Sequence, residues 1–211
     1  MRRYLRLLVL AAVAGVLIGA GTAARRVAPV ELASNRCNSQ TIDDASSKLR
    51  DYDRRGSGGN SAQLLQRYGA IVDVIAVLNE ERQILDSVCS SDAQRAPLFT
   101  QIASLSAWAL TLESDIAGKL NASCSAAQTA LPAMMLADAW LALANVVNEQ
   151  GGTVPTAFND VIPKIQKRAQ AVGLTLPAWR DTSAYWSDQV HAKAKTAIAT
   201  CPSPSPSASP G

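Results

Sequence analysis

The chain has 211 residues, 48% of them hydrophobic and 18% charged, with 20 Lys and Arg against 17 Asp and Glu, a formal net charge of +3. Arg2, Arg3 and Arg6 supply all of that excess, so beyond residue 24 the chain carries 17 of each sign and no net charge. Such balance gives no support to a basic surface for nucleic acid or anionic lipid, and the apolar content suffices for one good core.

The first 24 residues read as an export signal. The arginines precede an uninterrupted apolar run, Leu7 to Ile18, and small residues follow at Gly21-Thr22-Ala23-Ala24, as a cleavage site requires. The alternative is an uncleaved anchor, since Leu7 to Ala24 is uncharged and just long enough to span a bilayer. No cysteine follows the run, which argues against a lipoprotein. Residues 25–38 are expected to be a linker, 39–201 a helical domain and 202–211 a disordered, polyproline-like Ser/Pro tail.

Between linker and tail the apolar periodicity is helical throughout. A first helix, from about Thr41 to Arg54, sets Ile42, Ala45, Leu49 and Tyr52 on one face, with Thr41 and Asp44 as a capping box. The glycines at 56, 58 and 59 force a turn. The second helix, about Ser61 to Val88, alternates steps of four and three through Leu64, Tyr68, Ile71, Ile75, Leu78, Arg82, Leu85 and Cys89. That is the seam of an antiparallel neighbour. The third, from about Pro97 to Leu120, repeats it with Leu98, Ile102, Leu105, Ala109, Leu112 and Ile116. A fourth starts at a Ser125/Gln128 capping box, kinks at Pro132 and ends at Gly151-Gly152. From Leu131 to Val147 its only polar residues are Asp138 and Asn145, so it belongs in the middle of a bundle. A fifth carries Phe158, Ile162, Ile165, Ala169 and Val172 and bends at Pro163. A sixth, from about Trp179, lines up Trp186, Val190, Ala194, Ala197 and Cys201. The fold class is all-α: an antiparallel bundle of five to six helices stapled by two disulfides.

Cys37, Cys89, Cys124 and Cys201 form an even set in an exported chain, which reads as two disulfides. Their wide spacing and the single histidine, His191, argue against a metal site. Residues 97–120 make a rod of about 36 Å, so Cys89 and Cys124 stand at opposite ends of it, beyond the roughly 7 Å reach of a disulfide. The glycine turn folds Cys37 back towards Cys89. The expected pairs are therefore Cys37–Cys89 and Cys124–Cys201, and the second requires that the last two helices do not simply continue the bundle.

Candidate chemistry is thin. His191 has no second histidine near it and reads as part of a solvated face; no catalytic residue, metal or cofactor is assigned. Arg82 and Asp138 are each a charge on an otherwise apolar face, and if they met they would form a buried pair or line a ligand cleft. Against that, Arg82 can reach the bundle edge and Asp138 can mark a thin exposed strip. Trp140, with Trp108, Trp179, Trp186 and Met134-Met135, could build an apolar pocket or simply fill the core. The expected function is a non-enzymatic, secreted or periplasmic binding or structural protein with a protein or cell-envelope partner, no nucleic-acid partner, and membrane contact only through residues 1–24 if uncleaved. The alternatives are a carrier of a small apolar ligand and an enzyme with a dispersed Arg/Asp site.

Overall fold

A computed structural model describes residues 37–201; the signal segment, most of the linker and the Ser/Pro tail lie outside the described residues. Six α-helices follow in order: α1 (Gln40–Arg55), α2 (Ser61–Val88), α3 (Asp92–Leu120), α4 (Ser125–Glu149), α5 (Ile162–Ala171) and α6 (Ala184–Ile198). Short 3-10 turns at Thr156–Phe158 and Trp179–Asp181 precede the last two, and no strand occurs among the described residues.

α1 buries Ile42, Ala45 and Leu49, as its three- and four-residue spacing requires. It starts one residue earlier than expected, and the Thr41/Asp44 box does not form. Instead Asn38 accepts from the Gln40 amide at 3.0 Å and the Ser39 hydroxyl bonds Asp43 at 2.8 Å. Gly56 ends the helix at φ +59, a conformation that costs a side-chain-bearing residue, and its N–H returns to the Tyr52 carbonyl. The capping box is at α2, where Asn60 and Gln63 exchange bonds of 2.9 and 3.1 Å. Likewise the expected Ser125/Gln128 box is absent: Cys124 caps α4 and Gln128 reaches back to the Ala122 carbonyl.

The α2 seam holds except at Arg82, which is exposed. Leu64, Ile71, Leu78, Leu85 and Cys89 are buried against Ile102, Ala109 and Ile116 of α3 and against α1, making a first core. α3 begins at Asp92, one turn earlier than expected, with Ser91 at its N-cap position and Pro97 inside it. Its opposite face, Ala103 and Ala107, opens a second core with Leu136, Trp140, Leu143 and Val147 of α4, and with Phe158, Val161 and Ile165. The two helices approach closely at Gly118, where a Cβ would stand 3.1 Å from the Gln128 carbonyl and 3.0 Å from Arg168. Trp108 packs against both cores.

The C-terminal third departs from the expected pattern. Phe158 is fully buried but sits in the first 3-10 turn, and Pro163 occupies the first turn of α5 rather than bending it. α6 starts at Ala184, capped by Ser183, while Trp179 belongs to the preceding turn. α5 packs on α3 and α4, and α6 packs chiefly on α4. This departure from up-and-down order brings Cys201 to Cys124. Both disulfides are those expected, Cys37–Cys89 and Cys124–Cys201, with Cα separations of 5.1 and 5.7 Å. They are consistent with an oxidising, extracytoplasmic setting.

Candidate functional site

The three residues singled out as ligand-binding are not brought together. Arg82 lies over the Phe99 ring, 5.2 Å from its centroid, as a cation–π contact at the α2–α3 edge. Asp138 instead meets α6: its Oδ1 accepts from the Ser187 hydroxyl at 2.9 Å and lies 2.9 Å from His191 Nε2. Trp140, 4% exposed, donates its indole N–H to the Pro177 carbonyl at 3.0 Å and stacks on Trp179 at 4.0 Å. His191 is therefore part of a packed α4–α6 contact, not of a solvated face. On the same helix Trp186 packs against the second core and Ala194 is buried.

Ser187, Asp138 and His191 are the residue types of a hydrolytic triad, but the connectivity differs. Serine and histidine both address the carboxylate, so the hydroxyl proton is directed at Asp138 and not at an imidazole base. The chemistry this arrangement performs is clamping α6 onto α4.

A second buried polar contact joins the first two helices of the seam. Glu113 of α3, 7% exposed, accepts from the Tyr68 phenol of α2. Burial raises the Glu113 carboxyl above its ordinary range while the Tyr68 bond pulls it down. Burial and the neighbouring carboxylate both raise the Tyr68 phenol.

Elsewhere among the described residues lies a cleft of about 690 Å³. α1 and the segment from the first 3-10 turn into α5 both lean on α3, and the space between them is the cleft. One wall is α1 with Ser46, Ser47, Arg50, Asp53 and Arg54. The floor is Ser104, Leu105 and Trp108 of α3, and the other wall is Ala157, Asp160, Val161 and Lys164. Ser104 bonds the Ala157 carbonyl at 2.7 Å, fixing the far wall to the floor. At the other end Lys164 reaches across to pair with Asp53, its ammonium 4.4 Å from the Trp108 ring centroid. Arg54 pairs with Asp51 at 3.5 Å. Arg50 and Asp160 have no ion-pair or hydrogen-bond partner among the described residues. Trp108 Nε1 is buried and likewise unbonded, a cost of about 1–3 kcal/mol.

None of this was visible along the chain. Arg50, Asp160 and Lys164 each sit on a face that reads as solvated, and only the packing of α1 and α5 on a common helix assembles them. The one available signal was Trp108, a large aromatic one position off the α3 seam. Comparison of the chain with protein-family profiles, with curated proteins and with solved structures finds no match.

Proposed function

We propose that this chain is an exported, disulfide-braced helical protein that works outside the cytoplasm by binding, without catalysis, and that the Trp108 cleft is where it binds. The observation that supports this most directly is the cleft's lining: an aromatic floor, two unpaired opposite charges and several hydroxyls, within the volume range of small-ligand sites. The lone histidine lies outside it, committed to Asp138, and Ser104 is held by a backbone carbonyl. The lining thus offers recognition groups rather than an activated nucleophile. A protein or cell-envelope component presenting a small polar group fits the same cleft.

A carrier of apolar ligands is the second reading, favoured by a shallower groove of about 420 Å³ lined by Ala130, Ala133, Leu174, Trp186, Val190 and Ala197. Thermal unfolding with leucine, the tripeptide Ala-Leu-Ala, glucuronate, inorganic phosphate and laurate separates the two. A ligand at a hundred times its Kd adds about 2.7 kcal/mol and raises Tm by a few degrees. At least one polar probe should stabilise the wild type and fail on the Arg50→Ala/Lys164→Ala variant. If no polar probe acts, or if the shift survives in that variant, the cleft reading fails. A laurate shift lost in Ala133→Glu would replace it with the carrier.

A further inference from the structure

The cleft's charges have an order that narrows its ligand. The contacts Ser104–Ala157 and Trp108–Lys164 show that the segment 157–164 runs in the same direction as α3. α1 runs the same way, because two antiparallel turns separate it from α3. One helical turn before Asp53 on its wall stands Arg50, and one turn before Lys164 on the other stands Asp160. The first rung, Asp53 with Lys164, is closed by an ion pair. The second rung has the reverse polarity, a guanidinium on α1 and a carboxylate opposite, and it is open: no contact within ion-pair distance joins Arg50 to Asp160 among the described residues. The apolar part of the same lining is Leu105, Val161 and the Trp108 ring.

Resting on the reading of this cleft as the binding site, we propose that its ligand is a zwitterion of the amino-acid or short-peptide class. Its carboxylate is received by Arg50, its ammonium by Asp160, and its side chain lies against Leu105, Val161 and Trp108. A guanidinium matches a carboxylate in two parallel hydrogen bonds, and a carboxylate takes the three donors of an ammonium. A purely anionic ligand would leave Asp160 facing it with like charge. A purely apolar one would bury Arg50 and Asp160 without partners, which is costly. The Asp53–Lys164 pair bounds the site at one end.

The test uses the full mature chain with both disulfides intact, titrated calorimetrically at low salt with leucine and with Ala-Leu-Ala as the free, N-acetylated, C-amidated and doubly blocked forms. Comparison of leucine with the tripeptide distinguishes amino acid from peptide. Free termini should bind best, and each block should weaken binding about tenfold, the effect of losing one charge-assisted bond. Arg50→Gln should erase the difference between acid and amide only, and Asp160→Asn that between amine and acetyl only. Both side chains are exposed, so neither change threatens the fold. Equal binding of the doubly blocked peptide, or discrimination that persists in both variants, overturns the proposal. Binding of glucuronate or phosphate alone, lost in Arg50→Gln, overturns the zwitterion while leaving the cleft as the site. No cleft-dependent binding of any probe removes both readings.

Discussion

The same substitution at two tryptophans should have very different consequences. Trp140→Phe removes the N–H that satisfies the Pro177 carbonyl and shrinks a ring stacked 4.0 Å from Trp179 in a 4% exposed position. Leaving that carbonyl unpaired costs about 1–3 kcal/mol. The lost ring volume and weakened stack add roughly 1 kcal/mol more, for a total of about 2–4 kcal/mol. Trp108→Phe loses similar volume and part of the Lys164 cation–π contact, about 0.5 kcal/mol. It also eliminates an indole N–H that is buried without a partner, recovering about 1–3 kcal/mol, so its net cost should be near zero. Urea unfolding followed by far-UV circular dichroism, with both disulfides intact and m-values compared to establish a common unfolding reaction, measures the difference. The expected gap is about 2 kcal/mol or more in favour of Trp108→Phe. Equal costs within about 0.5 kcal/mol, or the reverse order, would refute the assignment of one indole as bonded and the other as orphaned.

Three other outcomes are expected. Arg82→Leu and Asp138→Ala share no partner, so their stability effects should add to within about 0.5 kcal/mol in the double variant; a larger coupling would mean the two charges meet after all. Glu113 has its carboxyl raised by burial, so its ionisation opposes folding: its contribution is most favourable below the ordinary carboxylate value and is lost as pH rises through the raised one. The stability difference between wild type and Glu113→Gln should therefore move in favour of the variant between pH 4 and pH 7, and a flat difference in paired urea titrations would contradict it. Replacing Cys124 and Cys201 with serine opens a closure spanning 77 residues in sequence, worth about 4 kcal/mol in the chain-entropy description; a Tm unchanged by that replacement would show that the bridge adds nothing.

What could be read directly from the residues was what depends on periodicity and length. The α2 seam appeared as alternating steps of four and three, because an antiparallel partner demands that spacing. The disulfide pairs followed from the length of α3 together with the glycine turn after α1. Helix ends were less legible: α1 starts at Gln40 rather than Thr41 and α3 at Asp92 rather than Pro97, and Phe158 and Trp179 belong to turns whose apolar residues mimic helix faces. Functional residues were least legible. Asp138 stood out on an apolar helix, but its partners lie 49 and 53 residues away on α6. Arg50 and Asp160 had no local mark, since what distinguishes them is the partner each lacks.

The two disulfides also determine how this molecule would carry load. A pull applied at residues 37 and 201 passes from Cys37 straight to Cys89 and from Cys201 straight to Cys124. α1, α2, α4, α5 and α6 all lie inside covalently closed loops and feel no tension; the whole load falls on α3, a single 29-residue helix. Fully drawn out, the segment from 89 to 124 spans at most about 120 Å, so the covalent frame caps the extension however hard the ends are pulled. That one strained helix is the floor of the Trp108 cleft, while the cleft's walls hang from the two slack loops. Tension would therefore act on the floor of the cleft directly, and drawing α3 out would separate its two walls while both loops stayed closed.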